Sequence, residues 1–153
     1  MYYDNKGQLI QVKSNNHLGG IEEEYIAYNF SGAPTQKLHI HIQNGATTGK
    51  QEELYVYSYD HAGRLLKTTH KLNTGSPIIL VENTYDKLGR LETSGKNNKT
   101  EYAYNIRSWT ESMKSPLYQH TLYYNDSYKG KAVSYNGNIS AMNWNNWDQT
   151  KKV

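Results

Sequence analysis

The stretch "YSYDHAGRLL", residues 57–66, decides the fold of this chain because the same phrase returns elsewhere. Residues 85–91 repeat it as "YDKLGRL", and residues 3–9 carry a weaker copy, "YDNKGQL". In each copy an Asp is followed three residues later by a Gly, between flanks that alternate in polarity. This spacing is typical of a type I turn closed by a glycine bulge. We therefore interpret the phrase as a β-hairpin that is built several times.

The turn itself explains two residues of the phrase. Asp60 stands where a short carboxylate accepts backbone N–H bonds, and Gly63 stands where φ is expected to be positive. Stepping outward from this turn pairs Arg64 with Asp60, Leu65 with Tyr59 and Lys67 with Tyr57 across the hairpin. The same construction around Gly89 pairs Arg90 with Asp86 and Leu91 with Tyr85. We expect the arginine opposite each Asp to hold the pKa of that carboxyl low.

Further copies of the phrase predict the whole fold. Tyrosines followed by Asp or Asn recur at Tyr3, Tyr28, Tyr59, Tyr85, Tyr104, Tyr124 and Tyr135. Between them come second turn signals such as "SNNHLGG" (14–20) and "NGATTGK" (44–50), and alternating runs such as "KLHIHIQ". No segment has apolar residues at helical spacing. The sequence predicts an all-β, antiparallel hairpin meander of about 10–12 strands over residues 1–144, with 145–153 as a tail.

Composition excludes several kinds of function. Hydrophobic residues make up 36% of the chain, and 15 Tyr stand beside one Phe and 3 Trp, so amphipathic rings do most of the burying. The net charge of +3 is scattered, which argues against nucleic acid. The absence of cysteine excludes disulfides and thiol chemistry. No apolar run reaches the length of a membrane helix. Because Met1 leads directly into the first copy of the phrase, we expect the chain to be part of a longer protein.

The repeated pattern Y-x-Y-D-x-x-G-R-L resembles the YD repeat of Rhs-type proteins. Residues 57–66 and 85–91 carry its strongest copies, and "YNIRSWTESM" with "YNGNISAMNW" resembles the form found in Bacteroidetes. The resemblance implies a large secreted or surface protein whose repeats form a curved sheet or a segment of a β-shell, often around a C-terminal toxin. Its partners would be the rest of its own chain or neighbouring repeats. All three prolines follow Ala or Ser, so the family's Asp-Pro self-cleavage segment is absent from this sequence.

Catalytic and metal sites are weakly supported by the sequence. His39 and His41 lie on one face of a predicted strand, as in some zinc sites, but no third ligand is evident. Asp60 and Asp86 each close a turn and face an arginine, which would keep the pKa of the carboxyl too low for proton transfer near neutral pH. We therefore predict neither an enzyme nor a cofactor, and interpret the chain as a structural segment.

Carbohydrate or cell-surface binding is the alternative function. Tyrosine and tryptophan rings flanked by amides and acids suit sugar surfaces, and the resemblance also implies an association with polysaccharide. The candidate residues are Tyr55, Tyr57, Tyr135, Trp144 and Trp147. Packing of a tyrosine ladder from repeat to repeat, with hydroxyls reaching water, is the competing interpretation of the same rings.

Overall fold

Antiparallel strands in sequence order make up the fold, as the alternating pattern predicts. The computed structural model describes residues 1–44, 49–126, 128–130 and 132–146. Within these residues there are twelve strands in one sheet, and the order in the sheet follows the order in the chain. No helix occurs in the part of the chain that is described. The prediction of an all-β hairpin meander is confirmed.

The strands are short and are numbered in chain order. They are β1 (Tyr2–Tyr3), β2 (Leu9–Asn15), β3 (Ile21–Tyr28), β4 (Pro34–Ile42), β5 (Lys50–Tyr59), β6 (Leu65–Leu72), β7 (Ile78–Tyr85), β8 (Leu91–Gly95), β9 (Thr100–Tyr104), β10 (Thr110–Lys114), β11 (Tyr118–Tyr123) and β12 (Ala141–Asn146). The chain divides into two compact units, Met1–Val81 and Glu82–Val153. Strand β12 includes the first two residues of the predicted tail.

The turn of the quoted phrase has the predicted geometry. Gly63 donates its N–H to the Asp60 carbonyl at 3.0 Å, and Asp60 donates to the Arg64 carbonyl at 3.0 Å. The φ of Gly63 is 78°. The copies around Gly7 and Gly89 have the same bonds and φ values of 77° and 82°. All three are type I turns with a glycine bulge.

The same turn also closes hairpins that lack the Asp. Asn16, Asn29 and Asn105 take the place of Asp and make the same pair of backbone bonds. In the Asn105 copy the bulge position holds Ser108, whose φ is 61°. A side chain in this left-handed region is strained, because its Cβ approaches backbone oxygen. The turn therefore accepts Asn in place of Asp readily. Replacing its glycine costs conformational strain.

The register of the hairpins corrects one prediction. Tyr59 lies opposite Leu65, as expected, but the register then shifts so that Ser58 lies opposite Lys67 and Tyr57 opposite Thr68. Lys67 is therefore not the partner of Tyr57. A second bulge one step beyond the turn causes the shift, and it recurs where Tyr85 pairs with Leu91 and Thr84 with Thr93. Bulges increase the local twist of a strand pair.

In the first unit the two faces of the sheet differ in chemistry. One cross-strand row aligns Tyr25, Leu38 and Leu54, and the next row, on the opposite face, aligns Glu24, His39 and Glu53. Burial is slight: among the described hydrophobic residues, only Ile40 and Tyr124 are buried. Interactions between neighbouring strands must therefore supply much of the stability that a core usually provides.

Gly63→Ala should lower the free energy of unfolding by about 1 kcal/mol or more. An added Cβ at Gly63 meets nothing within 4 Å, so the cost comes from the positive φ alone. Ser108 occupies the same turn position as Gly63, with a positive φ of 61°. Ser108→Gly should therefore raise the free energy of unfolding, because glycine adopts this conformation without strain. Thermal denaturation checks both changes, with Gly63→Asn as a milder control since Asn tolerates this conformation. Equal melting temperatures for all variants would contradict the turn assignment.

Candidate functional site: the turn and the tyrosine clamp

The side chain of the first turn residue binds the backbone of its own turn. Oδ1 of Asp60 accepts the amide N–H groups of Ala62 and Arg64, both at 2.9 Å. Oδ1 of Asn105 accepts the amide N–H groups at the same two positions of its own turn, those of Arg107 at 2.9 Å and Trp109 at 3.0 Å. An amide oxygen replaces a carboxylate oxygen here, because the turn needs an acceptor and not a charge.

At Asp60 and Asp86 an arginine adds an ion pair. Arg64 donates Nε–H to Oδ2 of Asp60 at 2.6 Å, and Arg90 donates to Oδ2 of Asp86 at 2.7 Å. The amide and guanidinium of Arg64 lower the pKa of the Asp60 carboxyl. Burial raises the pKa of Asp86, but the hydrogen bonds from Arg90 and the Leu88 amide, together with the charge of Arg90, outweigh it, so the net direction is also downward. Both pKa values are lowered, as predicted, but at Asp60 the backbone amide of Arg64 contributes more than its guanidinium.

In four of the hairpins the tyrosine that precedes the turn reaches back to the preceding hairpin. Its hydroxyl donates to the backbone carbonyl of the first residue in an earlier strand. The described pairs are Tyr28 to Leu9 at 3.0 Å, Tyr59 to Pro34 at 2.8 Å, Tyr104 to Leu91 at 2.9 Å and Tyr124 to Thr110 at 2.8 Å. We call this hydroxyl-to-carbonyl contact the tyrosine clamp. In these four residues the hydroxyl hydrogen is donated to a backbone carbonyl.

The ring of the clamp tyrosine also contacts a neighbouring side chain in two copies. The guanidinium carbon of Arg90 lies 4.8 Å from the centroid of the Tyr104 ring, and Nη1 of Arg90 donates to the Asn105 carbonyl at 3.1 Å. Trp109 holds the position of Arg90 in the next copy, and its ring centroid lies 5.1 Å from that of Tyr124. In these two copies the residue after the bulge thus packs on the tyrosine of the following hairpin.

The clamp was missed by reasoning from the sequence, although a signal for it exists. A turn of this kind needs only Asp or Asn and a residue that accepts positive φ. The tyrosine before Asp or Asn has no part in that turn, yet it recurs at nearly every copy. A residue that recurs where the turn does not need it indicates a contact outside the turn.

The predicted carbohydrate residues lie in different places. Tyr55 and Tyr57 line one cavity of about 410 Å³ on the polar face of the first unit. Its other lining residues are Glu24, Lys37, His39 and Glu53. Lys37 pairs with Glu24 at 2.9 Å, and the Tyr55 hydroxyl donates to Glu53 at 3.2 Å. Burial, with the bond to Glu53, raises the pKa of Tyr55.

The remaining predicted rings belong to the second unit. Tyr135 is 70% exposed and Trp144 is 60% exposed. Trp144 lies in β12, opposite His120 of β11. Trp147 lies outside the described residues. The predicted binding residues are therefore divided between the two units.

The two histidines predicted to share a face of β4 both bind Glu22. Nε2 of His39 lies 2.9 Å from one carboxylate oxygen of Glu22, and Nδ1 of His41 contacts the other. Asn16 donates to the same carboxylate at 3.1 Å. The bond to His41, followed by that from Asn16, lowers the pKa of Glu22 against an opposing effect of burial. Among the described residues, no group of three His, Asp or Glu side chains is placed to hold a metal ion.

Comparison with known proteins leaves the family open. No protein-family model matches the chain, and no curated protein matches it. In the residues that the structure describes, no helix is long and apolar enough to cross a membrane.

Acid should destabilise the protein partly through Asp60. Because its pKa is lowered on folding, the carboxylate contributes stability above its ordinary value of about 3.9, and this is lost as the pH falls through the lower folded value. Asp60→Asn keeps the acceptor, as Asn105 does, but removes the titration. Urea unfolding between about pH 2 and 6 should therefore show a shallower loss of stability for Asp60→Asn below about pH 4. Parallel curves for the variant and the parent chain would contradict this role.

Proposed function

We propose that this chain is a non-enzymatic structural segment of a larger exported or surface Rhs/YD-repeat protein. In this role its hairpins form part of the wall of a β-shell that encloses a C-terminal toxin. The sequence pattern of residues 57–66 and 85–91 supports the family. The all-β meander is the architecture that such a wall requires.

The tyrosine clamp is the observation that carries this proposal. Each clamp joins one hairpin to the preceding one through a backbone acceptor, at 2.8–3.0 Å in the four described cases. Side-chain burial is slight within the described chain. A chain built this way gains stability by nearest-neighbour contacts, as repeat proteins do. Repetition of a mechanical contact is the expected property of a scaffold.

The chemistry of the repeated residues also favours a structural role. Asp60 and Asp86 are held as carboxylates by turn amides and by arginine, which makes them poor general acids or bases near neutral pH. The clamp tyrosines are committed to carbonyl oxygens. Neither set offers a group that is free to bind and transform a substrate.

The encapsulating role can be tested by limited proteolysis of the full-length parent protein. Deleting residues 1–144 in frame should expose the C-terminal region of the parent protein to protease. The double variant Tyr59→Phe/Tyr104→Phe removes two clamp hydroxyls and should speed that cleavage. Tyr57→Phe/Tyr102→Phe removes two hydroxyls outside the clamp and serves as the matched control. Equal protection of the C-terminal region with and without residues 1–144 would overturn the encapsulating role.

A carbohydrate-binding module is the second candidate, and the cavity beside Tyr55 and Tyr57 favours it. Aromatic rings next to Glu24 and Glu53 combine an apolar surface with hydrogen-bond acceptors. If this cavity binds soluble polysaccharide, Tyr55→Ala should weaken binding about tenfold by calorimetry. Trp144→Ala should leave that affinity unchanged. Absence of binding to a broad panel of polysaccharides would exclude this candidate.

A further inference from the structure

Within the described chain, the carboxylate of Glu53 is bound only by neutral donors. It lines the cavity that also contains Tyr55 and Tyr57. Oε1 of Glu53 accepts from Gln51 at 3.3 Å, and Oε2 accepts from the Tyr55 hydroxyl at 3.2 Å. A carboxylate that is bonded to neutral donors keeps its full negative charge, and that charge attracts a cation.

The two basic side chains that line the same cavity are bound to other acids. Lys37 pairs with Glu24 at 2.9 Å. His39 lies opposite Glu53 across β4 and β5, but its Nε2 lies 2.9 Å from a carboxylate oxygen of Glu22. Each basic group of the cavity therefore has an acid of its own, and the charge of Glu53 is available to a cation from outside the chain.

The geometry of β5 places this carboxylate beside aromatic rings. Glu53, Tyr55 and Tyr57 are alternate residues of the strand, so their side chains share one face at Cα intervals of about 6.8 Å. The ring of Tyr55 packs against His70 of β6, with 4.7 Å between the centroids. His70 supports the ring from the β6 side, and the cavity lies toward β4. A cation that reaches Glu53 therefore also lies near tyrosine rings, which attract it further.

We propose that this cavity binds an amino sugar with a free amine, whose ammonium group pairs with Glu53 while the C–H face of its ring packs on Tyr55 and Tyr57. The volume of about 410 Å³ is in the range of small-ligand sites. Glu24 and the Tyr57 hydroxyl supply further hydrogen-bonding groups for the sugar hydroxyls. This inference rests on the second candidate function, carbohydrate binding, and specifies the charge of the ligand.

Two oligosaccharides that differ only in acetylation test the proposal. The glucosamine hexamer carries free amines, and the N-acetylglucosamine hexamer has the same backbone without their charge. At about pH 6, where glutamate is ionised, calorimetry with the intact chain should show about five- to tenfold tighter binding of the glucosamine hexamer. This preference should shrink as salt is added, because screening weakens ion pairs.

Three variants locate the preference in the cavity. Glu53→Gln removes the charge and keeps the shape, so it should bind both hexamers with equal affinity. Glu52→Gln is the matched control and should keep the preference, because Glu52 lies on the opposite face and pairs with Lys50. Lys37→Gln releases Glu24 and should tighten binding of the glucosamine hexamer. Such a gain of affinity cannot result from unfolding.

Four results would overturn the proposal. They are no binding of the glucosamine hexamer at millimolar concentration, equal affinity of the parent chain for both hexamers, an unchanged preference in Glu53→Gln, and weaker binding of the glucosamine hexamer by Lys37→Gln. Binding of polylysine in place of the hexamer would identify a basic peptide as the ligand instead.

Failure of this inference can be distinguished from failure of carbohydrate binding. Equal affinity for the two hexamers would leave the carbohydrate-binding candidate standing with a neutral ligand. Absence of binding to both hexamers and to the polysaccharide panel would exclude the candidate as well. The proposed structural role has a separate readout, which is protease protection in the full-length protein.

Discussion

The hydrogen bond from a tyrosine hydroxyl to a backbone carbonyl of the preceding hairpin is the contact on which the rest of this architecture depends. A net hydrogen bond contributes only about 1 kcal/mol, so no single clamp holds the sheet. Its effect comes from repetition, and in two copies the clamp also sets a ring against the residue that follows the bulge, Tyr104 against Arg90 and Tyr124 against Trp109. With only Ile40 and Tyr124 buried among the described hydrophobic residues, such contacts replace a continuous core.

What the sequence predicted correctly is what local chemistry determines. Asp60 and Gly63 lie within one turn, so residue type alone fixes the acceptor and the positive φ. The same holds for the pairing of Tyr59 with Leu65 and for the low pKa of Asp60, whose causes lie within four residues of it. Alternation of polar and apolar residues sufficed for the meander, because each strand pairs with its neighbour in sequence.

What the sequence did not predict depends on contacts between hairpins. The second bulge moved Lys67 from Tyr57 to Ser58, and simple counting from the turn cannot detect an extra residue beyond it. The clamp acceptors are backbone carbonyls, such as that of Pro34, which have no residue-type signature. The residues that line the cavity beside Tyr55 come from three strands, β3, β4 and β5, so no single stretch of sequence predicts it.

The choice of tyrosine over phenylalanine follows from these constraints. A ring on a slightly buried sheet contacts neighbouring side chains on its face while its hydroxyl needs a partner or water. Phenylalanine at position 59 would keep the ring contact but leave the Pro34 carbonyl without its tyrosine donor. Register errors of one residue would move the ring to the other face of the sheet. The hydroxyl therefore favours the correct alignment of successive hairpins at the four positions where it reaches a carbonyl.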